Sequence, residues 1–463
     1  VIRQNRRAAG RRLPASAAAL LLVLCGLSAV ATASVHQPGT AVTLTVSPAA
    51  VGYVGPGFVG LSFEKDRLGA GVFDPGNAAL VSLFRMLGPS VLRVGGNLVD
   101  IVGWKAGGPG GSEREVAPPD VVRLGGFLRA TGWTVLYGIN LKTNTEANAV
   151  AEARFVAHTL GRSLLAFEIG NEPDQYRTQR QYEQEFEAYA TAIRAAVPDA
   201  RFDGPGTFTP DWLDSFAARG RRDGLDMLAM HAYIGQNAAS IPRLLMSGSS
   251  SPRFAAIETA LQRARSAGGI RSWRLTETNS FLRGGAPGVS DVQAAALWAL
   301  DLMHGVAAHG GDGVNFHGGT SVQFPLTYTP IAFSGSRPTG VRAVYYAGLL
   351  WTLAGTGPLR RASIVGGQLV SAWGIGDRLI VDNKNPWPVT VTAHLTVPAG
   401  RVGEYLLTAG SLASRDITLA SSTVSADGRF TPAPQRLAAT GGTVAFTLPA
   451  GSAALIVPDR GRA

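Results

Sequence analysis

The sequence predicts an α/β protein, a (β/α)8 TIM barrel joined to a C-terminal antiparallel β-sandwich. Three observations carry this. The chain has 463 residues, enough for a barrel of about 250 residues plus a smaller partner. From residue 58 onward, short apolar or β-branched runs alternate eight times with segments of helical periodicity. After Gly357 the pattern changes to short strands separated by Gly, Pro, Asp and Asn.

The barrel strands are expected at 58–63, 91–94, 133–139, 164–169, 201–203, 227–231, 273–276 and 314–316. Helices are expected between and after them, at 78–87, 121–130, 149–160, 181–196, 212–218, 254–267, 292–308 and 342–353. Such alternation implies parallel strands with crossover helices, and eight units favour a closed barrel over an open sheet. In the second domain, residues 358–463, strands are expected at 369–373, 378–381, 389–395, 403–407, 443–448 and 453–457, which reads as a sandwich. Segment 34–52 holds an alternating run at 42–46 that is expected to add a strand to that sandwich, leaving 53–357 for the barrel.

Hydrophobic residues make up 46% of the chain and charged residues only 16%, which excludes a disordered protein. The formal charge is +10, but half of it comes from five arginines before residue 34, a stretch with no acid. The mild excess elsewhere forms no lysine-rich run and gives no reason to expect nucleic acid. Residues 1–33 read as a secretory signal: basic start, apolar run over 17–30, and Ala31-Thr32-Ala33 as a small-residue cleavage site. The apolar run is shorter than the roughly 20 residues a membrane span needs, so export without stable membrane insertion is expected. Arg11-Arg12 leaves the twin-arginine route open. The single cysteine, Cys25, lies inside this segment, so the mature protein has neither disulfide nor thiol chemistry.

In a barrel of this kind the reacting groups sit at the carboxyl ends of the strands. Phe167-Glu168-Ile169-Gly170-Asn171-Glu172-Pro173 closes the fourth predicted strand, and Leu275-Thr276-Glu277-Thr278-Asn279 closes the seventh. Pro173 stops the strand and Gly170 lets the backbone turn, so Glu172 stands at the rim, opposite Glu277 across the mouth. Opposed carboxylates are the apparatus of glycoside hydrolysis: one protonates the leaving oxygen while the other attacks the sugar or activates water. Either glutamate alone would more ordinarily be solvated or salt-bridged; it is the pair that points to chemistry. Arg93, an interior strand cation, is placed to keep Glu277 ionised. Glu168 lies within its strand and is read as structural. The seven histidines show no metal-ligand spacing and there is no dinucleotide or phosphate loop, so no metal and no cofactor are expected.

Gly170-Asn171-Glu172-Pro173, the later Glu277-Thr278-Asn279-Ser280 and Gly284-Gly285-Ala286-Pro287 together resemble glycoside hydrolase family 79, the family of bacterial β-glucuronidases and heparanases. The resemblance spans roughly 42–460 and implies a retaining mechanism, with Glu172 as acid/base and Glu277 as nucleophile. It implies a glucuronic-acid-containing carbohydrate as substrate. It also adds positions that would bind sugar. These are Glu64 in Gly60-Leu61-Ser62-Phe63-Glu64-Lys65, Asn97 after Gly95-Gly96, Asn171 beside the acid, and Tyr233 in His231-Ala232-Tyr233. Val314-Asn315-Phe316-His317-Gly318-Gly319 followed by Tyr328-Thr329-Pro330 resembles the loop that binds the uronate carboxylate, which makes Tyr328 the candidate donor. Each has a plainer role open to it: an ion pair with Lys65 or Arg93 for Glu64, turn capping for the asparagines, core packing for the tyrosines. One position departs from the pattern: Leu282 stands where the family's β-glucuronidases place a second uronate-binding tyrosine. The alternatives are a barrel glycosidase for neutral sugars, of arabinofuranosidase or β-glucosidase type, and a non-catalytic carbohydrate-binding protein.

Overall fold

A parallel strand covered by helices on one side and core on the other is buried at nearly every position, and the strands that close this barrel are buried along almost their whole length. The computed structural model describes residues 41–459 apart from 236–237 and 249–250. The expected signal at 1–33 and the basic terminus at 460–462 lie outside the described residues. Strand β1 (Ala41–Val54) comes first, followed by the barrel strands β2 (Val59–Glu64), β3 (Val91–Gly95), β4 (Thr134–Ile139), β5 (Leu164–Ile169), β6 (Phe202–Thr207), β7 (Leu225–Ala232), β8 (Ser272–Thr278) and β9 (Val314–His317). β2 to β9 pair in parallel with their sequence neighbours, and β9 pairs back to β2, so the sheet closes. All eight expected strands are present.

The covering helices are α1 (Ala78–Met86), α2 (Pro118–Thr131), α3 (Glu146–Leu160), α4 (Gln179–Ala196), α5 (Leu213–Asp223), the short α6 (Ile241–Leu245), α7 (Pro252–Gly268), α8 (Gln293–Ala308) and α9 (Ala343–Ala354). Several of these helices start on a capping side chain that the sequence supplies at the right offset. Asn77 caps α1, Thr145 caps α3, and Thr178 forms a reciprocal capping box with Gln181 on α4. At the amino-terminal end of the barrel Arg274 seals the floor, giving hydrogen bonds to the carbonyls of Gly57, Phe58, Asp312 and Val314 and to Asn315 Oδ1. Among the described residues, no helix is long and apolar enough to cross a membrane.

The second domain comprises β10 (Gly357–Val365), β11 (Val370–Ile375), β12 (Arg378–Asn383), β13 (Val389–His394), β14 (Arg401–Thr408), β15 (Thr418–Leu419), β16 (Gln435–Thr440), β17 (Thr443–Leu448) and β18 (Ser452–Pro458). The expected sandwich is refined here. The strands form one continuous sheet in which β14 pairs with both β16 and β18, so the ring closes on itself as a second barrel. Closure leaves fewer unpaired edges than two stacked sheets would. β1 completes this ring, antiparallel to β10 and parallel to β13, and sends Val42, Leu44 and Val46 into the same core as Leu379, Val391 and Phe446.

The two domains share buried surface along α8, whose Gln293 donates to the carbonyls of Leu407 and Gly451. His304 on α8 stacks on Trp373 of β11 with ring centroids 4.6 Å apart.

Candidate active site

The polar residues at the carboxyl ends of the barrel strands converge on one mouth. β2 ends in Glu64, Asn97 follows β3, Asn171 and Glu172 follow β5, His231 and Tyr233 close β7, Glu277 lies near the end of β8, and His317 ends β9.

Arg93 of β3 holds this set together from below. Its Nε and Nη2 donate to Glu168 Oε1 at 2.7 and 2.5 Å, and Nη2 donates also to Asn171 Oδ1 at 2.8 Å. Nη1 donates to Ser62 Oγ at 3.1 Å and to Glu277 Oε2 at 2.6 Å. A guanidinium carries five N–H donors, and all are engaged. Glu168, read from sequence as structural, is the second anchor of this cation.

The Tyr233 hydroxyl donates to the other Glu277 oxygen at 2.9 Å. His317 Nδ1 stands 3.7 Å from Glu277 Oε2. Burial alone would raise the Glu277 carboxyl, but the nearby charges of His317, His231 and Arg93 and the Tyr233 hydrogen bond outweigh it and hold the group well below the ordinary carboxylate range. Glu172 is treated oppositely. Burial raises its carboxyl, the charge of Glu277 adds to the rise, and the hydrogen bond with His231 only partly offsets them. His231 Nδ1 and Glu172 Oε1 share that bond at 3.0 Å. One carboxyl is thus kept ionised while its neighbour favours the proton.

Glu172 also has an unusual backbone. It sits at φ +47°, ψ +53°, the left-handed region that residues with a Cβ rarely enter, with its N–H donated to the Gly206 carbonyl at 2.9 Å. One atom each from Glu172, His231 and Glu277 lie within 4.8 Å of one another. These are ligand-type groups, brought from three strands, and linear spacing does not reveal such a cluster. A metal there would sit beside the Arg93 cation, which already occupies Glu277 Oε2; that charge disfavours it.

The remaining expected residues fall as follows. Glu64 is buried beneath the rim: Oε2 accepts the Leu98 N–H at 2.8 Å and Oε1 lies 3.7 Å from His317 Nε2. Neither of the ion pairs considered for it forms, since Lys65 pairs with Glu152 and Arg93 with Glu168 and Glu277. Asn97 is exposed, accepting from Asn171 Nδ2 and donating to Gln323 Oε1, both at 3.2 Å. Tyr328 is only 2% exposed, its ring 6.0 Å from Tyr233 and 6.2 Å from His317. His231 and His317 were missed as site residues. A signal for His231 existed: it lies two positions before Tyr233, and alternate residues of a strand share a face.

Neither protein-family comparison nor a search of curated proteins finds a match to this chain. Solved structures do match. One is a 4-O-α-L-rhamnosyl-β-D-glucuronidase from Fusarium oxysporum, at TM-score 0.73 and 20% identity over 90% of this chain and 100% of that one. Another is a family 51 α-L-arabinofuranosidase from Bifidobacterium longum, at TM-score 0.69 and 18% identity over 90% and 99%. A GH39 enzyme from Xanthomonas axonopodis pv. citri matches at TM-score 0.59 and 16% identity over 90% and 97%. At these identities the likeness establishes the fold.

Proposed function

We propose that this chain is a retaining glycoside hydrolase that releases β-linked glucuronic acid through a covalent glycosyl-enzyme. One observation carries the reading: two carboxyls on β8 and just after β5 bring oxygens within 4.8 Å of each other while their surroundings drive their acidities apart. Retaining enzymes hold their carboxyls about 5–5.5 Å apart, whereas inverting ones need roughly 6.5–9.5 Å to admit a water. Glu277, ionised, attacks the anomeric carbon as the protonated Glu172 gives its proton to the departing oxygen. In the second half Glu172, now a carboxylate, takes a proton from the water that displaces Glu277 from the sugar. Export by the segment at 1–33 belongs to the same proposal.

The glucuronide rests on the family 79 resemblance, on Tyr328 beside Tyr233, which bonds Glu277, and on the overall likeness to a protein described as a glucuronidase. With every N–H of Arg93 engaged, a uronate carboxylate would draw on other donors, such as the Tyr328 hydroxyl and loop N–H groups. A second reading, a retaining glycosidase for a neutral sugar, is favoured by Leu282, which packs with Phe208 and Phe324 around Tyr233, Leu326 and Tyr328.

Purified protein assayed on aryl β-glucuronide, β-glucoside and α-arabinofuranoside separates these readings. The glucuronide is expected to give the highest kcat/KM, with Leu282→Tyr widening the preference and Tyr328→Phe narrowing it. A glucoside preference in the parent enzyme sinks the uronate reading and leaves the carboxyl pair standing. Glu277→Gln should be inactive, and azide should rescue Glu172→Ala with a β-glycosyl azide product. An inverted product rejects the retaining mechanism, and no product at all from any substrate points to a non-catalytic binding protein.

A further inference from the structure

Three amide side chains lead from Arg93 to the rim of the mouth, and their direction is fixed at the buried end. A guanidinium only donates, so the Asn171 atom 2.8 Å from Arg93 Nη2 is the oxygen, Oδ1. Asn171 Nδ2, left to donate, meets Asn97 Oδ1 at 3.2 Å, and Asn97 Nδ2 in turn meets Gln323 Oε1 at 3.2 Å. The amides run head to tail, each accepting from the one before. Flipping any one of them would set oxygen against oxygen or N–H against N–H.

This row of amides passes from core to solvent. Arg93 and Asn171 are buried, whereas Asn97 and Gln323 are exposed. Packing and the Arg93 bond fix Asn171. The turn that carries Asn97 is fixed by the Leu98 N–H to Glu64 Oε2 bond at 2.8 Å, but the Asn97 side chain lies in the open, held by one hydrogen bond at each end of its amide. Gln323 belongs to the loop after β9, and that loop is pinned on both sides of it. Before it, Thr320 Oγ1 accepts from the buried Arg67 Nη1 at 2.9 Å. After it, the Tyr328 N–H donates to the Gly284 carbonyl at 3.1 Å, and Arg342 Nη1 donates to the carbonyls of Leu326 and Thr327. A glutamine on one pinned loop is thus presented to an asparagine 226 positions away in sequence.

We propose that Gln323 is a positioning residue for sugar binding: by accepting from Asn97 Nδ2 it completes the amide row anchored on Arg93 and holds the remaining N–H groups of Asn97 and Asn171 ready for an oxygen of the sugar. A primary amide has two N–H donors, and the row consumes one of each. The proposal rests on the reading of the mouth as a glycosidase site in which Asn97 and Asn171 meet the sugar. Gln323 acts through Asn97.

The test is a double-mutant cycle. It measures kcat/KM on whichever aryl glycoside the parent prefers among the β-glucuronide, β-glucoside and α-arabinofuranoside, for the parent, Gln323→Met, Asn97→Ala and the double variant. Methionine keeps the length of glutamine and offers Asn97 only a weak acceptor. Gln323→Met should lose roughly three- to tenfold, the worth of one hydrogen bond and of a rotamer set in advance, with an unchanged denaturant midpoint. Asn97→Ala should lose at least as much. With Asn97 already gone, the Gln323 substitution should change kcat/KM by less than about twofold, since the two residues act as one unit. Equal losses from Gln323→Met with and without Asn97 overturn the proposal, because they mark a loop effect independent of the amide row. A Gln323→Met enzyme as fast as the parent also overturns it, and both results leave the glycosidase reading intact. If Asn97→Ala is as fast as the parent, Asn97 does not meet the sugar and the proposal falls with that assignment. If Asn97→Ala does not fold, deoxy substrates carry the test: the Gln323→Met loss should shrink below about twofold on the 2-deoxy or the 3-deoxy glycoside, and a full loss on both overturns the proposal. A parent that turns over none of the three glycosides removes the glycosidase reading and the proposal together.

Discussion

Glu172 and Glu277 are chemically the same side chain, and what separates them is which neighbours each strand supplies. Glu277 faces a cation whose other contacts are fixed, since Arg93 is committed to Glu168, Asn171 and Ser62 as well. Glu172 faces His231, whose Nδ1 shares a hydrogen bond with Glu172 Oε1. The consequence is testable in the pH dependence. Burial raises the Glu172 carboxyl and the His231 hydrogen bond pulls it back down, while the His231 charge also helps to lower Glu277. In His231→Phe both restraints go, so both limbs of the kcat/KM bell should move to higher pH, the basic limb reporting Glu172 and the acidic limb Glu277. The loss of rate should stay below the roughly hundredfold or more expected for removing the acid itself. A profile with unmoved limbs would show that His231 only packs against Phe208.

Among the elements, the short turn Asn97–Asp100 has a tight local requirement. Gly96, which starts it, has φ +69°, and a Cβ there would lie 2.3 Å from Glu64 Oε2. Only glycine lets the backbone pass so close to that buried carboxylate. Gly96→Ala should cost about 1–3 kcal/mol of stability and lower kcat by shifting Asn97 and Asn171; an unchanged denaturation midpoint with full activity would refute this. The eight barrel strands were legible in sequence because strands buried on both faces read as apolar runs between helical periods. Glu172 and Glu277 were legible as candidates because each sits where such a run stops. β10 was not: Gly357–Val365 carries Pro358, Arg360, Arg361 and Ser363, so only alternate positions are buried and the run looks like a loop. The sharing of Glu172 by His231, and the closing of the second ring by β14 and β18, join residues from strands distant in sequence. No local pattern encodes such pairings.

At the scale of the whole molecule, the seam between the domains is partly ionic. Lys384, after β12, pairs with Asp301 of α8, donates to Ser371 at 3.0 Å and lies 3.7 Å from the fully buried Asp382. Burial pushes Asp382 well above the ordinary carboxylate range, with Lys384 opposing. A raised carboxyl contributes stability in acid that is lost as pH rises through its folded pKa. Removing the cation in Lys384→Met should therefore cost about 3–5 kcal/mol at neutral pH, where buried carboxylate charge is left uncompensated. The cost should shrink in acid, where the carboxyls are protonated. Denaturant midpoints at the two pH values check this, and an equal loss at both would refute it.

β1 lies between β13 and β10, although the entire parallel barrel separates it from them in the chain. During synthesis on a ribosome, β1 emerges before the parallel barrel and its partners emerge after it. Its two hydrogen-bonding edges stay open while residues 55–356 are made, and an open edge is a template for pairing with another chain. The barrel can close as soon as β9 is available, whereas the second ring must wait for its last strand. The nascent chain is thus exposed to misassembly at β1, and holding factors that bind extended segments would act there.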